Sequence, residues 1–222
     1  SLYNSLLERF CAPFYVGDDA VKQYNYLFNQ NVDSIFQKRF FSDKSQDGKS
    51  LRVDDDNIVA KSLLKFDPEW NQYYSGLAIP SANAALEKNM AVMMVPSNAA
   101  LENYWNNEAG KVLKDQYGSW DKVPNDVIVE LINNNMLSSF VESVPSKFGS
   151  ILNDANDPMG VDKADIDSVW LGCNGAVYLT NKVYSPTSFV SVLYPAIVNE
   201  TMKVMRWAVE KNQYNVYLNS LN

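Results

Sequence analysis

The side chains that could perform chemistry in this chain are carboxylates, lysines, tyrosines and two cysteines, because none of its 222 residues is a histidine. Histidine is the commonest general base at neutral pH and the commonest ligand of transition metals. Its absence excludes Ser-His-Asp and Cys-His triads, HExxH zinc sites and facial iron triads. An enzyme with this sequence would have to work with carboxylates, Lys, Tyr or Cys alone.

A polar segment with several carboxylates lies in residues 153–167, where clustered oxygen ligands suggest a calcium loop. Counted from Asp154 against the EF-hand pattern, the fifth position is Pro158 and the sixth is Met159 instead of Gly. The twelfth position is Asp165 instead of Glu, so the segment fails the pattern. Nothing marks two acids that face each other across a sugar, as a glycosidase needs. We therefore expect no catalytic residue, no metal site and no cofactor.

Two clusters of aromatic residues could stack on a sugar ring. They consist of Trp70, Tyr73 and Tyr74 in the first cluster and Tyr117 and Trp120 in the second. Tyr and Trp rings also bury large apolar areas in protein cores, and burial is the simpler interpretation of each cluster. A glycan platform and core packing therefore both remain open for these residues.

The charge balance bears on the class of partner. The net charge is -7, which argues against nucleic acid and against anionic lipid surfaces, because binding to phosphates requires clustered Lys and Arg. No apolar run is long enough for a transmembrane helix, and the first ten residues lack the layout of a signal peptide. Cys11 and Cys173 could form one disulfide or remain two small buried thiols.

The clearest structural signal is a strand joined to a helix by a proline. The run from Met90 to Val95 is short, continuous and apolar, which predicts a buried strand. Pro96 should end it because proline donates no backbone hydrogen bond. Ser97 or Asn98 can then accept a hydrogen bond from the first free amides of a helix.

Similar signals predict the other elements. Residues 2–10 and 18–30 have a helical period, and Pro13 should stop the first of these helices. Residues 33–42 alternate as a half-buried strand does. A further helix should begin at 124–126 and end in the asparagines at 133–135, which tolerate left-handed backbone and make local bonds.

Two more elements follow in the last third of the chain. Residues 168–186 contain two β-rich runs around Asn174-Gly175, which predicts a tight hairpin. Residues 199–222 have the period of a helix.

In this order, these segments resemble the fasciclin domain family. The first family signature, an apolar strand, then Pro, Ser or Thr, and Asn or Asp opening a helix, is matched at Pro96, Ser97 and Asn98. The second signature, an Asn-Gly turn leading through a strand to a final Pro, is matched at Asn174, Gly175 and Pro186. Asn134 and Asn135 stand where the family usually has a Tyr-His pair, so we do not transfer integrin recognition to this chain.

The resemblance implies an α+β fold, a fasciclin-like β-wedge or sandwich of short strands with helices packed around it. It implies a fasciclin-like domain at 1–190, with its first helix at 1–12, a long insertion at about 13–76 and the signature-bearing core at about 78–190. Residues 191–222 would form a linker and a C-terminal helix, which either ends the unit or opens a following tandem repeat.

Several stretches resemble surface lipoproteins of Bacteroides-type bacteria in particular. This implies export to the bacterial cell surface or outer membrane, with a lipid anchor outside these residues as the only membrane contact, or a periplasmic location. The implied function is non-enzymatic adhesion to, or interaction with, an extracellular protein. The alternative is an accessory glycan-binding surface protein of a nutrient-uptake system.

Overall fold

The computed structural model describes residues 1–43, 51, 62–69, 90–153, 156–190, 200–202, 204–205 and 207–208. The α-helices bounded within these ranges are α1 (Leu2–Leu7), α2 (Asp18–Phe28), α3 (Asn98–Asn107), α4 (Gly110–Tyr117) and α5 (Asn125–Asn134). The strands are β1 (Cys11–Tyr15), β2 (Phe36–Phe40), β3 (Ala91–Pro96), β4 (Met136–Leu137), β5 (Ile166–Gly172) and β6 (Gly175–Thr180). Short 3₁₀ helices span Glu8–Phe10, Trp120–Lys122, Val141–Ser143, Pro145–Ser150, Lys163–Asp165, Thr187–Val190 and Glu200–Met202.

The fold is α+β, as the sequence predicted, and its strands form two sheets. Strands β1 and β2 pair antiparallel in a small sheet. The larger sheet has the order β4-β3-β6-β5. Within it, β3 and β6 are parallel along their whole length, while β4 and β5 run antiparallel to their neighbours. None of the described helices is long and apolar enough to cross a bilayer.

The central strands of the larger sheet are buried on both faces. Alternate residues of a strand point to opposite faces, so β3 contributes Ala91 and Met93 to one core and Val92 and Met94 to another. The first core lies against the helices and contains Leu6, Phe10, Leu101, Tyr104, Leu113, Val127, Ile128 and Ile132. The second lies against loops and 3₁₀ turns and contains Phe148, Ile151, Val161, Ala176, Tyr178 and Tyr184. Two cores explain why the run from Met90 to Val95 has no polar face.

The N-terminal elements agree with the predictions except at one proline. Residues 2–10 are helical and bury Tyr3, Leu6 and Phe10, and α2 and β2 form where they were expected. We predicted that Pro13 stops the first helix. This is wrong, because the helix already ends at Phe10. Pro13 instead lies within β1, opposite Lys38 of β2. Proline is tolerated there because an edge strand leaves some of its amides without a ladder partner.

The strand-proline-helix joint is confirmed. Pro96 is the last residue of β3, and the Ser97 hydroxyl accepts a hydrogen bond from the Ala100 amide at 3.1 Å. Asn98 does not cap α3. Its Oδ1 atom accepts a hydrogen bond from the Leu2 amide at 2.9 Å, which ties the start of α1 to the start of α3.

The asparagines at the end of α5 form a buried hydrogen-bonded group. The helix ends within the asparagines, as predicted, and Asn135 follows it with φ -97°, outside the left-handed region. The Asn135 side chain donates to the carbonyls of Leu131 and Tyr184 at 2.8 and 2.9 Å, and Asn134 donates to the Tyr184 carbonyl at 2.9 Å. The Asn135 carbonyl accepts from the Met94 amide at 2.8 Å. One buried residue thus joins α5, β3 and the segment that follows β6.

The segment after β6 is fixed by further contacts near Pro186. Pro186 is buried, and its carbonyl accepts a hydrogen bond from the Phe189 amide at 3.0 Å. The Tyr184 hydroxyl donates to Asp165 Oδ2 at 3.0 Å, and burial together with this bond raises the pKa of Tyr184. Tyr184 belongs to the second core and Phe189 to the first, so this segment contributes to both cores.

The predicted hairpin is present, with a different turn. Gly172 of β5 lies opposite Gly175 of β6, so the turn residues are Cys173 and Asn174 rather than Asn174 and Gly175. Gly175 is required for another reason. A Cβ atom at this position would overlap the backbone carbonyl oxygen of Ala91 in β3, so only glycine lets the parallel strands meet here.

The predicted C-terminal helix at 199–222 lies mostly outside the described residues. The described parts form a 3₁₀ turn at Glu200–Met202 and helical backbone at 204–205 and 207–208.

Replacing Gly175 with alanine should destabilise the fold. The new methyl group has to push the Ala91 backbone away, and overpacking of this kind costs roughly 2–3 kcal/mol in free energy of unfolding. Gly149→Ala is the matched control because a Cβ atom there meets nothing within 4 Å. Urea unfolding followed by circular dichroism measures both variants. Equal stability of Gly175→Ala and Gly149→Ala would contradict the close approach of β3 and β6.

Candidate functional site

The aromatic residues that the sequence suggested for sugar stacking belong in part to the core. The Trp120 ring packs on the ring of the buried Trp105, with centroids 4.3 Å apart. Tyr117 and Trp120 are both half-buried against the helical core. The Arg9 guanidinium donates to the Trp120 carbonyl at 3.2 Å, which holds this turn in place. One face of the Trp120 ring is therefore occupied by protein.

The other suggested cluster cannot be compared in this way. Trp70, Tyr73 and Tyr74 lie outside the described residues.

The most exposed apolar strand of the larger sheet is β5, at its edge. Val169, Trp170 and Leu171 are 53%, 56% and 75% exposed. Each lies opposite a residue of β6 that one of the two cores covers, namely Tyr178, Val177 and Ala176. Beyond Ile166, which packs against the second core, β5 therefore continues both apolar faces of the sheet into solvent. We call Val169, Trp170 and Leu171 the edge patch.

The backbone of β5 adds hydrogen-bonding capacity to the edge patch. Within the described part of the chain, β5 has β6 on one side and no strand on the other. An edge strand presents backbone amides and carbonyls that can pair with another chain, and proteins usually protect such edges with Lys, Pro or bulges. Residues 166–172 contain neither Lys nor Pro, and the one irregularity of pairing lies between Ile166 and Ser168. The stretch 168–172 therefore remains a regular, open edge.

The hairpin that carries the edge patch is anchored at its tip. The Asn174 carbonyl accepts a hydrogen bond from the Ala91 amide at 3.2 Å. The Asn174 side chain donates to the Pro68 and Glu69 carbonyls at 3.3 and 3.5 Å. A partner would therefore meet a strand that is already ordered, which lowers the entropic cost of binding.

The two cysteines are free, and they differ in environment. Cys11 is half-buried, and burial raises the pKa of its thiol. Cys173 is exposed at the hairpin tip, so the interpretation as two buried thiols is wrong for this residue.

A second exposed apolar surface lies on α2. Val21 is the buried residue of this helix, and its second half projects from the body. Tyr24, Leu27 and Phe28 lie one turn apart on one side, and the rings of Tyr24 and Phe28 are 4.7 Å apart. Tyr26 is 87% exposed. Because it is two residues from both Tyr24 and Phe28, Tyr26 lies on another side of the helix. We call Tyr24, Leu27 and Phe28 the aromatic ridge.

The surroundings of the aromatic ridge are polar but uncharged. Residues 23–32 include no Asp, Glu, Lys or Arg. Gln23, Asn29, Gln30 and Asn31 are exposed around the rings. Asn25 instead holds the loop, because its side chain donates to the Val32 carbonyl and accepts from the Val32 amide, each at 3.0 Å.

Where the acidic segment is described, its carboxylates have structural partners. Asp162 accepts a hydrogen bond from the Ala164 amide at 2.9 Å, and Asp165 accepts one from the Asp162 amide at 3.2 Å, which together form a capping box. Asp157 Oδ2 accepts from the Thr187 hydroxyl at 3.4 Å. Among the described residues, no group of three potential ligands lies close enough to hold a metal ion.

Comparisons with known proteins provide no relative for this chain: no family model, no curated protein and no solved structure matches it. The fasciclin resemblance therefore rests on the two signature segments alone. The chemistry of the exposed surfaces is what remains to indicate function.

The different environments of two tryptophans lead to a stability prediction. Trp120→Ala should lower the free energy of unfolding by about 2 kcal/mol, because it removes the ring that covers Trp105. Trp170→Ala should change it by no more than about 0.5 kcal/mol in dilute solution, because the Trp170 ring is largely in water. Chemical denaturation measures both variants. Equal losses would show that Trp170 is packed and would remove it from the edge patch.

Proposed function

We propose that this chain is a non-enzymatic interaction module of the fasciclin type that binds an extracellular protein at the edge of its four-stranded sheet. We further propose that it is exported and held at a bacterial cell surface by a lipid anchor outside these residues. The observation that carries the binding proposal is the edge patch, which is apolar, ordered and, in the described part of the chain, without a neighbouring strand on its outer side.

Strand addition is the mode of binding that this edge favours. A partner strand would pair with the backbone of β5, and its side chains would extend the two apolar faces of the sheet. Burying one exposed Val or Leu side chain stabilises by about 1.5–3 kcal/mol. Val169, Trp170 and Leu171 are 53–75% exposed, so each can contribute part of such a gain, while the backbone bonds fix the register of the contact.

The arrangement of the two signature segments supports the family proposal. The strand of the first signature, β3, pairs in parallel with β6 of the second from Ala91 opposite Gly175 to Pro96 opposite Thr180. Residues far apart in sequence thus form one central unit, as expected if the signatures encode a fold rather than a reaction. The absence of histidine supports a non-enzymatic role.

An array of immobilised extracellular proteins, incubated with the fluorescently labelled chain, tests the protein-binding proposal. Leu171→Lys should weaken every specific signal at least tenfold, because a charged side chain replaces an apolar one at the edge. Leu152→Lys is the matched control, since Leu152 is also exposed but lies outside β5. Unchanged binding by Leu171→Lys, or no bound protein at all, would refute the proposal.

The alternative function, glycan binding, is favoured by one specific observation, the aromatic ridge. Aromatic rings stack on the C–H faces of sugars, and the exposed amides around them can bond to hydroxyl groups. Because residues 23–32 carry no charge, this surface suits a neutral glycan. The chain would then serve as an accessory glycan-binding surface protein in nutrient uptake.

A glycan array tests this alternative independently. Phe28→Ala should abolish binding to neutral glycans with little loss of stability, because the Phe28 ring is exposed. Leu171→Lys serves here as the control that should retain binding. Glycan signals that survive Tyr24→Ala and Phe28→Ala, or an array without signals, would exclude the aromatic ridge as a sugar site.

A further inference from the structure

We infer that the strand that pairs with the β5 edge is β5 of a second copy of this chain, antiparallel to the first and related to it by a two-fold axis at Trp170. This inference rests on the proposed use of the edge patch and identifies the extracellular protein bound there as another copy of this chain. Two observations carry it: the symmetry of the apolar sequence and the two apolar faces of β5.

Two-fold symmetry restricts the possible registers. An axis perpendicular to the sheet places each residue opposite one that points to the same face, so the axis must pass beside a residue and not between two. With the axis at Trp170, the two tryptophans lie opposite each other. Val169 then lies opposite the second copy's Leu171, and Ser168 opposite its Gly172. The apolar triplet Val169-Trp170-Leu171 is thus complementary to itself.

Neighbouring registers fit less well. An axis at Val169 places Leu171 opposite the second copy's Asp167, which brings a carboxylate against an apolar side chain at a cost in desolvation. An axis at Leu171 places Trp170 opposite the second copy's Gly172, which offers no side chain to cover the ring. The register centred on Trp170 pairs all six apolar side chains with one another.

This pairing also covers both faces of the sheet. Trp170 lies opposite Val177, which packs against the helical core, so the paired tryptophans would extend that core across the axis. Val169 and Leu171 lie opposite Tyr178 and Ala176 of the second core and would extend it in the same way. The dimer would contain one continuous eight-stranded sheet, in which β5 is no longer an edge.

The charge of the chain opposes association, and this makes the inference testable by salt. Each copy carries a net charge of -7. Repulsion between copies is screened over about 8 Å at physiological ionic strength. Around β5 the charges are mixed, since Lys182 Nζ lies 3.8 Å from Asp165 Oδ2. Added salt should therefore strengthen the dimer, whereas an interface held by ion pairs would weaken.

A charge-exchange experiment tests both the interface and its register. Sedimentation equilibrium should show a reversible dimer for the unmodified chain, tighter at 0.5 M than at roughly 0.05 M NaCl. Trp170→Lys and Trp170→Glu should each weaken self-association at least tenfold, because like charges meet at the axis. An equimolar mixture of these two variants should restore dimers. Val112→Lys, an exposed valine on α4, should dimerise like the unmodified chain.

A second pair of variants keeps the test independent of any folding defect at Trp170. Val169→Glu and Leu171→Lys should each weaken the dimer and should associate with each other, because these positions lie opposite in the inferred register. Circular dichroism verifies that each variant is folded.

Three results would overturn the inference. They are a monomer at every concentration, dimers that the Trp170 variants leave intact, and folded variants that fail to associate when mixed. A monomeric chain that still binds array proteins through Leu171 would refute pairing between copies and leave the proposed function standing. If the β5 dimer is intact but no array protein binds through Leu171, binding of a different protein is refuted and pairing between copies stands.

Discussion

The parallel pairing of β3 with β6 is the constraint on which the rest of the structure depends. Parallel neighbours need a long crossover, and here residues 97–174 supply it with α3, α4, α5, β4 and β5. The helices of this crossover cover one face of the pair, and the turns after β4 cover the other. The two strands meet so closely at Ala91 that position 175 must be glycine. Both cores are therefore built on one strand pair.

The buried asparagines provide hydrogen-bond partners for backbone groups in the interior of this arrangement. The end of α5 and the chain after β6 bring backbone groups into the interior, where an unpaired amide or carbonyl would cost about 1–3 kcal/mol. Asn135 bonds to Leu131, Met94 and Tyr184, and Asn134 adds a second donor to the Tyr184 carbonyl. An amide side chain suits this position because it donates and accepts at once, and it does so without a titrating group.

The same topology explains where binding should occur. Because β5 returns to the sheet outside β6, the packing layers reach only its first residue, Ile166, and the edge patch is exposed. The aromatic ridge is exposed for a different reason. Helix α2 is attached through Val21 and through the bonds between Asn25 and Val32, so its last turns project beyond the body. The two surfaces thus differ in shape and chemistry. One is the edge of a strand, and the other is a row of apolar side chains on a helix, surrounded by side-chain amides.

The sequence by itself determined the type and place of most elements in the described part of the chain. The strand from Met90, the Ser97 cap, α5 and the β5–β6 hairpin follow from local periods and capping chemistry, which act over a few residues. The tertiary structure alone decided what these elements expose. Trp120 and Trp170 have the same side chain, yet the first covers Trp105 and the second lies in water. Strand order decides this difference, and strand order depends on contacts between residues far apart in the chain, which no local pattern contains.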